Sequence, residues 1–483
     1  MIEPKQLTRS GSWKISLTAV MLWATVSVHA QTTEPDSITG RVHDIPNVTI
    51  EARRAPNRVS SNAPIQTLNR ATIEDLGIQD IADAVRRFAG TEVKDYGGTG
   101  GMKTVSVRNM GAAHTAISYD GIAVSNCQAG QIDIGRFSLD NVASLSLSVG
   151  QSDDLLQSAR MYASAGVLNI ETERPELTGG KDWALKTQVK TGSFGYVNPY
   201  LRYSQRLGSR TTASIDADYL RSDGQYPFML ENGKYTSEAK RYNSEVDSWH
   251  TEANLFHEFG ENSELTVKGY YYQSDRGLPG AVILYNPYSQ EHLWDKNGFI
   301  QARLKHRFSD KWSLQAQTKY NYSWNKYQDK GVQYEGGIST DRHTQHEYYV
   351  SGTVLYQPLD GLSVSLAQDV AVNTLSSTLA DCPFPTRFTS LTALQIQYRY
   401  RRFKFGTTWV NTWITEHVKE GERPDDLKKI SPTVSLSWQP WKEQALYLRA
   451  MYKNTFRTPT FNDLYYYRMG NRSLRPEKAT EYN

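Results

Sequence analysis

The sequence predicts a mostly β protein, in which a small α+β domain is followed by an antiparallel transmembrane β-barrel. The strongest sign is the alternation of apolar and polar residues over long runs, which is most regular in residues 312–322. Because successive side chains of a strand point to opposite faces, one face is apolar and the other is polar. Such runs extend over about ten residues, whereas ordinary strands have five or six and membrane-spanning strands need roughly 9–11.

The connections between the predicted strands are the second sign. Short turns are expected at residues 207–210, 260–262, 309–311, 358–361, 401–402 and 440–443. Longer polar stretches are expected at residues 223–247, 277–297, 327–344, 376–387 and 417–428. Short and long connections therefore alternate, as they do in outer-membrane barrels, whereas a soluble β-sandwich has no reason to keep this order.

Composition narrows the class of protein further. Hydrophobic residues make up 39% of the chain and the mean hydropathy is −0.59, which is too polar for a bundle of transmembrane helices. The 30 Tyr and 11 Trp residues suit many strands with aromatic girdles at membrane interfaces. The net charge of +3 gives no reason to expect a nucleic-acid partner. A secreted β-sandwich, such as an adhesin or a glycan-binding protein, is the alternative.

The N-terminal part of the chain predicts export. In residues 1–30, a basic start precedes a mostly apolar stretch at 15–28 and a small residue, Ala30, which together predict a signal peptide. Residues 31–62 are polar and contain three prolines, so we expect a flexible segment.

Residues 63–178 predict the α+β domain. Short helices are expected at 71–76 and 80–88, with Gly77 closing the first and Asp80 capping the second. Short strands are expected at residues 104–108, 115–119, 145–149 and 167–172. From residue 179 to residue 483 the pattern is strand after strand, which predicts the barrel.

No constellation of residues predicts covalent chemistry or a metal site. Cys127 and Cys382 have no metal-ligand spacing, and we expect them to be unpaired, a mutual disulfide being the alternative. The neighbouring carboxylates at 153–154 are expected to cap a helix or to face solvent. His343 and His346 are expected in or near a solvated loop, with contact to a metal chelate as the alternative. The protein is therefore not expected to be an enzyme or to hold a cofactor.

Several segments resemble TonB-dependent outer-membrane receptors. Their order and spacing are similar to the plug domain of that family at residues 81–93, 104–108, 119–122 and 165–172. The segments at 456–465 and 471–477 resemble the family's signature in the C-terminal half of the barrel. The resemblance implies energy-coupled import of a scarce, bulky nutrient across the outer membrane, with the plug facing the periplasm.

The resemblance also assigns roles to residues of this chain. The segment that pairs with the TonB complex of the inner membrane would be Val48, Thr49, Ile50, Glu51 and Ala52. The ligand would contact the apical loops of the plug through Tyr96, Gly98, Thr99, Ser125, Asn126, Gln128 and Gln131. Plug structure would depend on Arg108, Asp120, Gly121, Gly166 and Asn169.

Residues 150–152 depart from the family pattern, and the resemblance allows two kinds of ligand. The family often has Arg-Gly-Pro where residues 150–152 read Gly-Gln-Ser, which leaves the charge pairing between plug and barrel in doubt. For the ligand, the resemblance implies a cobalamin-type molecule, with a ferric siderophore as the alternative.

The strand count predicts a partial barrel. We count about fourteen strands from the alternation, whereas the family barrel has about 22. We therefore expect the chain to end within the barrel, and a smaller closed barrel of fourteen strands is the alternative reading.

Overall fold

A computed structural model describes residues 65–177, 179–282, 289–379, 381–444, 446–467 and 469–483. The predicted signal peptide and the segment at 48–52 lie outside these residues. The α+β domain consists of β1 (Ile65–Asn69), α1 (Arg70–Asp75), α2 (Ile81–Arg86), β2 (Thr91–Asp95), β3 (Lys103–Val107), β4 (Thr115–Tyr119), β5 (Ile122–Val124), β6 (Val142–Val149), α3 (Ala159–Tyr162) and β7 (Gly166–Thr172).

The α+β domain has a sheet of five strands in the order β1-β6-β7-β4-β5, and β2 pairs with β3 separately. Only the β4–β7 pair of these is parallel. The helix starts follow from local chemistry, because the side chains of Asn69 and Asp80 accept hydrogen bonds from the amides of Thr72 and Asp83. Leu145 and Leu147 of β6 are buried in the core of the domain.

The remaining strands are long. They are β8 (Trp183–Gly192), β9 (Tyr196–Gly208), β10 (Thr211–Ser222), β11 (Pro227–Asn232), β12 (Tyr235–Lys240), β13 (Val246–Gly260), β14 (Ser263–Leu278), β15 (Glu291–Arg307), β16 (Trp312–Lys330), β17 (Ile338–Leu359), β18 (Leu362–Ser377), β19 (Thr386–Tyr400), β20 (Phe403–His417), β21 (Leu427–Trp438), β22 (Leu448–Arg457) and β23 (Glu477–Tyr482), with α4 (Phe461–Tyr465) before β23. No helix of the described residues has the length and apolarity needed to cross a bilayer.

Fourteen of these strands form one antiparallel sheet in chain order, from β8 to β10 and from β13 to β23. From β9 to β21, consecutive strands of the sheet are joined alternately by short turns and long connections, as the sequence predicts, whereas the β8–β9 connection is short and residues 439–447 between β21 and β22 form a longer connection than expected. Two ends of the sheet can therefore be told apart, a turn end and a loop end. Strands β8 and β23 are its edges, and they do not pair with each other within the described residues. The mostly β fold class, with an α+β domain before an unclosed sheet of fourteen strands, is confirmed.

Burial in the large sheet is the reverse of burial in a soluble protein. Large apolar side chains on one face are exposed, among them Trp249, Ile300, Val350, Leu366 and Trp409. The opposite face carries buried polar and charged side chains, among them Glu252, Lys268, Gln317, Lys319, Glu347, Asp369 and Gln395. This polar face contacts the α+β domain through many hydrogen bonds. A soluble β-sandwich buries its apolar faces, so the arrangement fits a sheet with lipid outside.

Candidate functional site

The loop at 125–131 lies between the α+β domain and the loop end of the sheet. The Asn126 side chain shapes it, because Asn126 Oδ1 accepts hydrogen bonds from the amides of Gln128 and Ala129, each at 3.1 Å. Gly130 has φ +70°, and a Cβ atom there would lie 2.5 Å from Thr460 Cγ2. The position therefore requires glycine both for its backbone conformation and for the close approach of Thr460.

Gln128 fixes this loop to the sheet. The residue is 7% exposed. Its main-chain N–H donates to Gln345 Oε1 at 3.1 Å, and Gln345 Nε2 donates to the side-chain Oε1 of Gln128 at 3.0 Å. The two hydrogen bonds give partners to the main-chain N–H and the side-chain oxygen of Gln128 and to the side-chain amide of Gln345. Gln128 therefore holds the loop in place and does not present its side chain to a cavity.

The connection between β22 and β23 folds inward onto the same loop. The amides of Phe461 and Asn462 donate to the carbonyls of Cys127 and Gln128, at 2.9 and 3.0 Å. These are amides of the first turn of α4, which have no partner within the helix. Thr460 and Asp463 complete a capping box at that end. The segment at 456–465, which the sequence marks only as a family signature, therefore provides a second contact between the sheet and the loop at 125–131.

A cavity of about 270 Å³ opens beside this contact, and we call it the loop-side cavity. It is lined by Ala113, Ser125, Asn126, Cys127, Gly130, Arg160, Ala163, Ser164, Asn373, Arg387, Thr389, Leu391, Thr412, Ile414, Phe456, Arg457, Thr458 and Thr460. Arg160 is paired with Glu347 at 2.8 Å and Arg387 with Glu416 at 2.6 Å. The arginines that line the cavity therefore have carboxylate partners, which suits a polar ligand of low net charge.

The thiol in this cavity is expected in its neutral form. Burial raises the pKa of Cys127 to about 11, so it is protonated at neutral pH. A thiol in that state is a poor nucleophile and a poor metal ligand. Cys127 and Cys382 are both free. Among the described residues, no group of three or more His, Cys, Asp or Glu side chains is arranged to hold a metal ion.

A second cavity, of about 560 Å³, lies nearer the turn end of the sheet, and we call it the turn-side cavity. Its lining is Ile65, Thr67, Asn69, Gly121, Ser144, Ser146, Ser148, Ser152, Asp153, Asp154, Gln157, Met161, Val167, Asn169, Glu171 and Gln315. The polar faces of β1, β6 and β7 form one side of it, opposite Gln315 of β16. Nine of its sixteen lining residues carry a hydroxyl or amide side chain.

A buried group of charges joins the α+β domain to β13 and β14. Lys268 Nζ lies 2.6 Å from Glu252 Oε2, 3.1 Å from Asp120 Oδ2 and 2.6 Å from Thr172 Oγ1. Tyr119 donates its hydroxyl hydrogen to Glu252, and the centre of its ring is 3.7 Å from Lys268 Nζ. Burial and the neighbouring Glu252 carboxylate raise the pKa of Tyr119 well above its usual range, which keeps the hydroxyl a donor.

Two family models match this chain. The TonB-dependent receptor plug domain matches residues 57–161, and the TonB-dependent receptor-like β-barrel matches residues 296–483. The chain belongs to the TonB-dependent receptors. The α+β domain is its plug, and the sheet of fourteen strands is barrel structure.

Solved structures of the family have the same fold. The FrpB iron transporter from Neisseria meningitidis aligns with a TM-score of 0.68 at 12% identity, over 83% of this chain and 66% of that one. The copper transporter OprC aligns with a TM-score of 0.65 at 14% identity, over 84% and 66%. The ferripyoverdine receptor of the outer membrane of Pseudomonas aeruginosa aligns with a TM-score of 0.61 at 13% identity, over 88% and 60%. The chain thus spans 60 to 66% of the length of these three proteins.

The residues predicted from the sequence to contact the ligand fall into two separate groups. Ser125 and Asn126 line the loop-side cavity, whereas Gln128 and Gln131 do not. Tyr96, Gly98 and Thr99 belong to a different part of the plug, where Arg276 of β14 donates to the Gly100 carbonyl at 2.8 Å. Tyr96 is 52% exposed. Sequence reasoning missed Arg160 and Arg387, because nothing in their local sequence marks them as lining a cavity.

The plug residues nominated for structural roles have identifiable contacts. Arg108 has φ +52°, and its amide donates to the Gly90 carbonyl at 2.8 Å. Asp120 accepts the Thr172 amide at 2.8 Å, and a Cβ atom on Gly121 would lie 2.7 Å from Arg303 Nη1. The other two are in β7: Gly166 faces Val107 closely, and Asn169 donates to Glu171 at 3.1 Å.

The doubt about charge pairing between plug and barrel is resolved by residues that the sequence did not single out. Arg160 pairs with Glu347, and Lys404 Nζ lies 2.7 Å from Asp153 Oδ1. Gln151, next to the glycine that stands in the place of the family's arginine, forms hydrogen bonds with Thr408 and Ser435 of the barrel. A neutral side chain there suffices because its barrel partners are hydroxyl groups.

The expectation for the neighbouring carboxylates holds in part. Neither caps a helix: Asp153 pairs with Lys404, whereas Asp154 is exposed to solvent, as expected, and accepts the Leu156 amide at 2.9 Å. His343 and His346 lie within strand β17 and not in a loop, because β17 begins at Ile338. Three residues apart in a strand, their side chains point to opposite faces and cannot bind one metal together.

Proposed function

We propose that the protein imports a polar nutrient across the outer membrane by energy-coupled transport with TonB. The observation that carries the proposal is the plug seated on the polar face of the sheet, with a cavity between the loop at 125–131 and the loop end of the barrel. No covalent chemistry is required, because binding, followed by movement of the plug, is sufficient for import. The proteins of similar structure include an iron transporter, a copper transporter and a receptor bound to ferripyoverdine.

The ligand of this chain is proposed to be a ferric siderophore or a cobalamin-type molecule that binds in the loop-side cavity. Ser125 and Asn126 supply hydroxyl and amide groups, and the arginines of the cavity keep their carboxylate partners. The alternative function is that of a secreted adhesin, and the exposed apolar face of the sheet argues against it. The deciding experiment is uptake of isotope-labelled ferric siderophores and cyanocobalamin by cells with and without the protein and with and without TonB.

The orientation in the membrane gives a first prediction. The loop end is expected to face the outside and the turn end the periplasm. Cysteines introduced at Lys234, at the tip of the β11–β12 hairpin, and at Glu335, between β16 and β17, should react with a membrane-impermeant maleimide on intact cells. A cysteine at Asp310, in the short turn between β15 and β16, should react only after the outer membrane is permeabilised. Labelling of Asp310 with protection of the other two would reverse the proposed orientation.

The second prediction concerns the loop at 125–131. Replacing Asn126 and Gln128 together with Ala removes the side-chain bonds that shape the loop and fix it to Gln345, so binding should weaken at least about tenfold, or about 1.4 kcal/mol. Binding of the ligand found in the uptake experiment is measured on whole cells, and the content of folded protein is measured in parallel. The matched control is Gln79→Ala, a plug glutamine that lines neither cavity. Unchanged affinity would move the binding site to the barrel connections.

A further inference from the structure

The short helix α3 separates the two cavities. Arg160 of α3, with Ala163 and Ser164 just after it, lines the loop-side cavity, while Gln157 and Met161 line the turn-side cavity. The helix therefore has one cavity toward the loop end and another toward the turn end. Among the sheet strands, β18, β19, β20 and β22 line the loop-side cavity, and β16 lines the turn-side cavity through Gln315.

Side chains of the barrel hold α3 in place. Asp369 of β18 accepts the amides of Ala159 and Arg160, at 3.1 and 2.8 Å. Glu347 of β17 pairs with the Arg160 guanidinium, and Thr353 of the same strand donates to the Gln157 carbonyl at 3.1 Å. Asp369 is 1% exposed and also accepts the hydroxyl groups of Tyr349 and Ser351. A single buried carboxylate thus holds the first turn of the helix.

The apolar contacts of α3 are made by two small side chains and one large ring. Its residues Ala159 and Tyr162, with Ala163, pack on Ala367, Leu391, Ala393 and Val410 of the barrel wall. The alanines contribute little buried apolar area and the Tyr162 ring contributes more, so we expect apolar burial, the hydrogen bonds and the ion pair all to contribute to the attachment. Another part of the plug is held by the buried charges around Lys268 on β13 and β14. These contacts do not involve α3, so a local movement at α3 can leave them in place.

The geometry points to α3 as a partition whose displacement joins the two cavities into one passage between the plug and the sheet. The turn-side cavity is then a second solute site on the way to the turn end, with serines of β6 and the amides of Gln157, Asn169 and Gln315 along it. Its carboxylates at Asp154 and Glu171 favour a neutral or cationic hydrophilic solute over a polyanion. This inference deepens the proposed function and rests on it for the direction of transport alone.

The test uses ion conductance, which requires neither the nutrient nor TonB. The full protein, purified from outer membranes, is inserted into planar lipid bilayers in potassium chloride. Asp369→Ala removes the carboxylate that holds the first turn of α3, so its conductance should exceed the wild-type value severalfold. Adding Ser146→Trp, which fills the turn-side cavity, should return the conductance to the wild-type value. Adding Glu92→Trp, at an exposed plug residue that lines neither cavity, should leave the leak unchanged.

A leak that Ser146→Trp does not close would place the passage elsewhere and overturn the inference, as would a folded Asp369→Ala protein without a leak. If Asp369→Ala is not recovered in folded form, Met161→Ala, which shortens a side chain of α3 at the turn-side cavity, takes its place with the same expectations. A leak with the expected pattern in a protein that imports none of the tested nutrients would refute the proposed function and leave the passage intact.

Discussion

Thr49→Pro is expected to abolish nutrient uptake while ligand binding at the cell surface stays at the wild-type level. The segment Val48 to Ala52 resembles the stretch of the family that pairs with TonB as an added strand. Such pairing depends on main-chain hydrogen bonds, and proline lacks the amide hydrogen and fixes φ. Uptake and binding of the same labelled nutrient are measured on the same cells, so the two effects can be separated.

The matched control for this substitution is Thr39→Pro, which places proline in the same polar segment outside the five residues. It should leave both uptake and binding unchanged. Equal loss of uptake and binding in Thr49→Pro would indicate misfolding, and normal uptake would remove the assignment of residues 48–52. A loss of uptake in both variants would show that the whole segment, and not these five residues, is required.

The strands and turns could be predicted because the barrel environment imposes a simple pattern. Lipid on one side and a polar lumen on the other force strict alternation, which is visible in residues 312–322 without any knowledge of partners. In the plug, β4 occupies Thr115–Tyr119 as predicted, and Asp80 accepts the Asp83 amide as the cap of α2. These features depend on residues that are neighbours in sequence, and local chemistry is enough to place them.

Strand lengths beyond the membrane were not predictable in this way. Residues 327–344 were expected to be a long connection, yet β16 extends to Lys330 and β17 starts at Ile338. Residues 223–247 likewise contain the β11–β12 hairpin. Outside the lipid both faces of a strand are in water, so the polar residues no longer alternate with apolar ones. Backbone pairing continues there without a signal in the hydropathy.

The site was less predictable than the fold, because its contacts join residues far apart in the chain. Arg160 and Glu347, or Gln128 and Gln345, meet only when the plug is seated in the barrel. Ser125 and Asn126 could be nominated because the family resemblance covers the loop around them. The inward-folded segment at 460–465 was recognised as a signature, but its contact with Cys127 and Gln128 is made by backbone amides, which leave no mark in the sequence.

Lys268→Ala is expected to lower the free energy of unfolding of the plug by about 3–5 kcal/mol, the usual cost of removing one partner from a buried ion pair. Lys268 is 1% exposed and contacts Glu252, Asp120 and Thr172. Without the ammonium group, two carboxylates remain buried near each other with fewer donors. Hydrogen exchange of the amides in β4 and β7, followed by mass spectrometry, measures the opening free energy of this part of the plug.

The control is Lys311→Ala, at an exposed lysine in the short turn between β15 and β16, where the side chain has no ion pair among the described contacts. It should change the opening free energy by less than about 0.5 kcal/mol. Faster exchange in Lys268→Ala should include Asp120 and Thr172 and their neighbours, because both bond directly to the lost group. Equal protection in Lys268→Ala and the wild type would show that the charges around Lys268 do not hold the plug, and the attachment would then have to come from the hydrogen bonds and ion pairs along β16 to β22.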